Sequence, residues 1–109
     1  MELKARGSRT GRPIMVLLDL MGRRWSLRVL WELRNGPLTS RELRSACDDV
    51  SPTVLQTRLT DLRSADLVEL RPGEGYALTP WGVALVEALV PLYSLAAQWA
   101  ARGAREETS

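Results

Sequence analysis

Ser51-Pro52-Thr53-Val54-Leu55-Gln56-Thr57-Arg58-Leu59-Thr60-Asp61-Leu62 decides the fold of this chain. Ser51 has the chemistry of a helix cap and Pro52 suits a first turn. At about 100° per residue, Leu55, Leu59 and Leu62 share one face, with Arg58 beside them. Thr53, Thr57, Thr60 and Ser64 lie opposite, flanked by Gln56. The segment therefore predicts an amphipathic helix with one aliphatic side and one side of small polar groups.

The segments on either side complete a pattern. Upstream, Thr39 and Glu42 form a capping box, with Leu38 and Leu43 as its hydrophobic staple. That predicts a short helix from Thr39 to Cys47, then a tight turn. Val50 and Leu55 make the equivalent staple around Ser51. Downstream, Val68 and Leu70 alternate with Glu69 and Arg71, and Tyr76 and Leu78 alternate with Ala77 and Thr79. Pro72-Gly73-Glu74-Gly75 between them is turn chemistry, so Leu67 to Thr79 predicts a hairpin.

Two helices are predicted before this core. Pro13 opens one, with Ile14, Leu17, Leu18 and Met21 at helical spacing and Gly22 as its break. Trp25 to Arg34 is the second, stopped by Asn35-Gly36-Pro37. After the hairpin, Thr79 caps a long apolar helix from Pro80 to about Arg102. Pro91 is expected to kink it and Gly103 to end it. The expected fold is mainly α with a small β-wing (α+β): a winged helix-turn-helix with N- and C-terminal dimerisation helices. Residues 1–12 form a flexible basic arm, 13–102 the domain and 103–109 a frayed tail. Within the domain, 38–79 is the helix-turn-helix and wing, and 80–102 the dimerisation helix.

The chain has 109 residues, near the common domain size, and 45% of them are hydrophobic, enough for one modest core. No run of about 18 apolar residues is read in it, and the N-terminus lacks an apolar signal core, so a cytoplasmic protein without a membrane partner is expected. Net charge is +2 but uneven. Through Arg71 there are 13 basic and 9 acidic residues (+4), and from Pro72 there are 2 and 4 (−2). A basic front half joined to a mildly acidic tail fits an anion-binding part joined to an assembly part. Fourteen of the fifteen cations are Arg, the residue suited to phosphate and guanine, although genomic base composition accounts for such an excess equally well.

Helix, turn, helix and wing in that order form a shape that reads duplex DNA. The polar face of the quoted helix supplies base readout through Thr53, Gln56, Thr57 and Thr60, since Gln pairs with adenine and a Thr methyl meets thymine. An ordinary solvent face has the same composition, and only the flanking elements favour the DNA reading. Ser51, Arg41, Arg44, Arg58, Arg71, Arg23 and Arg24 are the phosphate candidates, adding affinity without sequence information. Arg58 has a second reading, as a partner of Asp61 or Asp66.

The residues also resemble a known family. Leu18 to Leu27, Ser51 to Leu59, and Tyr76-Ala77-Leu78-Thr79-Pro80-Trp81-Gly82 resemble, in order, three motifs of the HxlR-type winged-helix regulators, relatives of the MarR regulators. The resemblance covers about residues 13–102. It implies a bacterial homodimer on a partly palindromic operator, with the first and last helices as its interface. Ile14, Leu17, Leu85, Leu89, Leu92, Tyr93, Ala96 and Trp99 are then interface or core residues. Independently, the last helix is too apolar to sit bare on a monomer. Two features depart from the family pattern. The wing is short, with four residues between Arg71 and Tyr76, and no cysteine lies near the N-terminus. The short wing leaves minor-groove contact by Arg71 open, and redox sensing is not carried over. Cys47 shares a face with Leu43 and reads as a buried structural thiol.

Other functions are weighed against this one. The chain has no His, so the commonest general base is missing and an enzyme is not expected. One Cys and no His make no standard zinc site, and no cofactor motif is present. A winged helix used as a protein-interaction module remains an alternative. So does a regulator with a small-molecule effector pocket at the dimer interface, lined by Trp25, Trp31, Trp81 and Trp99.

Overall fold

The computed structural model describes the backbone of residues 12–108 and the side chains of residues 12–103. Its elements run α1 (Pro13–Met21), α2 (Ser26–Glu32), α3 (Ser40–Ala46), α4 (Pro52–Ser64), β1 (Val68–Arg71), β2 (Gly75–Leu78) and α5 (Pro80–Thr108). The winged helix-turn-helix order read from the sequence is the order observed. Apart from Arg12, the expected basic arm lies outside the described residues.

α2 is the centre of the fold and touches α1, α3, α4 and α5. Its Val29, Leu30 and Leu33 meet Leu43 and Cys47 from the α3 side, Leu55, Leu59 and Leu62 from α4, and Val68 and Leu78 from the wing in one buried cluster. Leu residues dominate it, as expected for a chain with no Phe. Trp25, expected inside α2, instead precedes it in a left-handed conformation, with φ 75°.

The caps act as their residue types dictate. The Thr39 hydroxyl accepts from the Glu42 N–H at 3.2 Å, and the Glu42 carboxylate accepts from the Thr39 N–H at 2.9 Å. The Ser51 hydroxyl accepts from the Val54 N–H at 3.2 Å. Thr79 does more: its hydroxyl donates to the Asp66 carbonyl at 2.6 Å and accepts from the Gly82 N–H at 3.1 Å. One buried side chain thus joins the end of α4, the wing and the start of α5.

The wing is an antiparallel pair, Val68 opposite Leu78 through Arg71 opposite Gly75. The sequence reading missed a third contribution. Leu38 bridges to Tyr76, with N–H to carbonyl bonds of 2.9 and 2.8 Å in the two directions. The bridge passes against Gly75, whose φ is 104° and where a Cβ would collide with the Leu38 carbonyl.

One expectation about the last helix is corrected: it does not end at Gly103 but runs through it to Thr108, with Pro91 inside it. One glycine weakens a helix by only about 1 kcal/mol relative to Ala, and no proline follows to stop it. Its segment Pro80–Gly103 is long and apolar enough to cross a membrane by length and composition, although it holds no unbroken run of about 18 apolar residues. Glu87, Ser94 and Gln98 interrupt the apolar letters, but the surrounding Leu, Val and Ala hold the mean hydropathy of the segment at 1.4.

Candidate nucleic-acid interface

The turn between α3 and α4 is short and strained, with Asp48 and Asp49 both at φ 56°. Two arginines brace it. Arg44 Nε donates to the Val50 carbonyl at 2.8 Å, and Arg28 Nη2 donates to the Ala46 carbonyl at 2.7 Å. Arg28 also pairs with Glu32 at 2.9 Å, and that hydrogen bond holds its guanidinium above its ordinary pKa. The hinge of the helix-turn-helix is therefore held by cations directed at carbonyls. Arg28 was not among the sequence candidates, and its spacing to Glu32 was the available signal.

α4 buries Leu55, Leu59 and Leu62 and leaves Ser51, Thr53, Val54, Gln56, Thr57 and Thr60 exposed. The four base-readout candidates thus share one open face. Thr57 donates its hydroxyl to the Thr53 carbonyl and Thr60 donates to the Gln56 carbonyl, both at 2.9 Å. Arg63 is exposed in the last turn beside this face. It was overlooked, although its helical angle lies close to that of Gln56.

The phosphate candidates divide into two groups. Arg24 and Arg41 are exposed, Arg24 with its guanidinium 5.8 Å from the Trp25 ring centre. Arg71 is half-buried in the wing, 3.6 Å from the Glu69 carboxylate. Arg23, Arg44 and Arg58 instead meet internal partners. Arg58 lies 2.8 Å from Asp61, as its second reading proposed, and Arg23 lies 3.2 Å from Asp61 and 3.1 Å from Asp19. Burial works against the Arg23 charge, but the hydrogen bonds it donates to both carboxylates outweigh it and raise its pKa.

The wing is as short as the sequence implied, three residues between its strands. Beside its first strand, Asp66 and Glu69 join Thr60, Arg63 and Leu70 around a shallow hollow next to α4. Those two acids disfavour a phosphate there.

The dimer candidates fall into two sets. Leu17 and Leu85 pack partly on the core, and Tyr93 stacks on Trp31 with ring centres 4.3 Å apart. Burial raises the Tyr93 pKa, against a lowering by nearby Arg34. Leu89 is half-buried, and Ile14, Leu92, Ala96 and Trp99 are open, with Trp99 70% exposed. Met15, Leu18, Val90 and Leu95 are also exposed on the same two helices. Cys47 is fully buried, and burial pushes its thiol up in pKa.

Within the single chain the four tryptophans do not line one pocket. Trp31 lies under the Arg34 guanidinium at 4.1 Å, Trp25 packs beside the core and Trp99 stands in the open. Only Trp81 lines the main groove, of about 610 Å³, among Val16, Leu17, Leu20, Leu85 and the Asp19–Arg23–Asp61 group.

The comparisons agree with this architecture. The model of the HxlR-like helix-turn-helix family matches residues 20–104, which takes in most of α5 and makes it part of the matched domain. The uncharacterized HTH-type transcriptional regulator sll1512 of Synechocystis is 29% identical, over 80% of this chain and 69% of that protein. Among solved structures, quinone-bound YodB from B. subtilis superposes with a TM-score of 0.74 at 26% identity, covering 80% of this chain and 97% of YodB. A MarR-family regulator from Enterococcus faecalis V583 gives 0.75 at 30% identity, covering 94% of this chain and 98% of that one. An HxlR-family factor from Thermoplasma volcanium GSS1 gives 0.70 at 31%, covering 76% and 80%. With its fold and the order of its motifs, the chain belongs to the HxlR-like helix-turn-helix family of transcriptional regulators.

Proposed function

We propose that the protein acts as a cytoplasmic homodimer on a partly palindromic double-stranded operator, with α4 in the major groove. One observation carries this reading. The face bearing Thr53, Gln56, Thr57 and Thr60 is open, while the rest of α4 is clamped by its cap, by α2 and by the wing. A rigid helix with one free polar face is what base readout requires. Phosphate contacts fall to Arg24, Arg41, Arg63 and Arg71, with Ser51 at the helix start. Arg23, Arg44 and Arg58 orient the reading helix.

Dimerisation follows from the apolar surface of α1 and α5. Leu92, Leu95 and Trp99 are 56%, 59% and 70% exposed on one helix. Water would face them all in a lone chain, and a second copy removes them from it. The same burial supports placing the protein in the cytoplasm rather than in a bilayer.

The groove between α1, α4 and α5 supports an effector reading in addition. Its charged end is the Asp19–Arg23–Asp61 group, which holds α4. A molecule seated there would bear on the reading helix directly. Quenching of Trp81 fluorescence by an added compound, together with release of bound DNA, tests it; quenching without release excludes a switch.

Salt titration separates DNA binding from a protein-interaction module. A dimer neutralising about four to eight phosphates gives a log–log slope of roughly −4 to −8. No binding to any genomic fragment at low salt refutes the proposal.

A further inference from the structure

We infer that α4 recognises its operator through thymine methyl groups, with Thr57 and Thr60 as the reading residues. The inference rests on the placement of α4 in the major groove and specifies its chemistry. Threonine offers DNA two different groups, a hydroxyl and a methyl. In this structure the hydroxyl protons of Thr57 and Thr60 are already donated to the carbonyls of Thr53 and Gln56, at 2.9 Å each. Those oxygens retain only acceptor capacity, so they cannot donate to guanine N7 or O6, adenine N7 or thymine O4. With each hydroxyl proton turned back onto the helix, the oxygen can only accept, from adenine N6 or cytosine N4, and the methyl is the apolar group left for the open face.

Two further observations point the same way. Val54, 37% exposed one turn before Thr57 and Arg58, contributes an isopropyl group that the core does not use. The cation of this stretch, Arg58, is turned to Asp61 at 2.8 Å, so the middle of α4 lacks the usual guanine reader. Gln56 is the one exposed amide on this part of the helix, and its natural partner is adenine. On the major-groove edge of unmodified base pairs, the thymine 5-methyl is the apolar feature. Methyl donors on the helix and an adenine-reading Gln together select steps rich in A·T pairs.

Uracil tests this on the DNA side, leaving the protein untouched, because it keeps the hydrogen-bonding edge of thymine and lacks the methyl. A duplex is first recovered by selection from a random pool, and its half-site thymines are then replaced one at a time by deoxyuridine. Wild-type affinity is expected to fall roughly fourfold for each contacted methyl removed. Thr57→Val keeps a methyl and loses the hydroxyl, so it should retain the preference for thymine. Thr57→Ser keeps the hydroxyl and loses the methyl, so it should lose the preference at one position of each half-site. Equal binding of thymine and uracil duplexes by the wild type overturns the inference. So does a preference that Thr57→Ser retains and Thr57→Val abolishes. Failure to recover any preferred duplex refutes base readout by α4 itself, a result distinct from indifference to the methyl.

Discussion

The Arg23 guanidinium lies 3.2 Å from the Asp61 carboxylate, and through it the turn after α1 holds α4. The same carboxylate oxygen takes Arg58 at 2.8 Å, while Arg23 also reaches Asp19 at 3.1 Å. Two residues 38 positions apart in the sequence, Arg23 and Asp61, thereby tie the end of α1 to α4. These side chains are between a fifth and a third exposed, so the network is neither a solvated surface pair nor a dry core pair.

Asp61→Asn removes the shared charge and leaves Arg23 with Asp19 alone and Arg58 without its carboxylate. A loss of about 1–2 kcal/mol is expected, between the values for exposed and buried pairs. Urea denaturation checks it. Affinity for preferred DNA should fall more than affinity for random DNA, because the angle of α4 is what changes. An unaltered unfolding midpoint would remove Asp61 from this role.

The capping box of α3 gives a prediction with a pH signature. Thr39→Ala should cost about 1 kcal/mol. The Glu42 pKa is lowered from its ordinary 4.5, first by the Thr39 backbone N–H and then by the Thr39 hydroxyl. The folded protein therefore binds the Glu42 proton less readily than the unfolded chain. Its contribution is complete above pH 4.5 and disappears as pH falls through the lower folded value. Wild type and Glu42→Gln should differ in unfolding midpoint at neutral pH and converge on acidification. A difference that widens in acid would reverse the sign of this argument.

Gly82→Ala should be among the most damaging single changes in the chain. A Cβ at this position would collide with the Leu67 carbonyl, a backbone group that cannot step aside. The Thr79 contact to the Gly82 N–H would be displaced as well. A loss above about 3 kcal/mol, or failure to fold, is expected. A variant that unfolds at the wild-type midpoint would mean that α5 and the Leu67 carbonyl separate freely.

Much of this was legible in the chain because local chemistry wrote it. Thr39, Ser51 and Thr79 marked three helix starts correctly, since a cap acts on residues within one turn of itself. Alternation along 68–71 and 76–78 marked the wing. What was missed depends on contacts distant in sequence. The Leu38–Tyr76 bridge joins residues 38 positions apart, and nothing in Leu38 alone announces a strand. The Asp61 partner of Arg58 was legible because it lies three residues away, whereas the Asp61 contact of Arg23 and the Val50 carbonyl contact of Arg44 were not announced by the chain. That Trp81 lines the groove while Trp31 stacks on Tyr93 could be seen only once α2 and α5 were placed.

Trp99→Asp should abolish self-association while leaving the domain folded. Trp99 is 70% exposed in the single chain, so its loss costs the monomer little. An ionised carboxylate there would have to be desolvated at an interface, which is strongly unfavourable. Sedimentation velocity should show a monomer with a wild-type circular dichroism spectrum. A dimer that persists would place the interface elsewhere.

The central claim is that two copies of α4 read one duplex in symmetric halves. Selection of bound duplexes from a random pool tests it most directly. The account predicts an inverted repeat whose half-site centres lie about 10 bp apart or a multiple of that, rich in A·T steps where Thr57 and Thr60 sit. Recovery of no preferred sequence, or of a single half-site without its inverted copy, would contradict it.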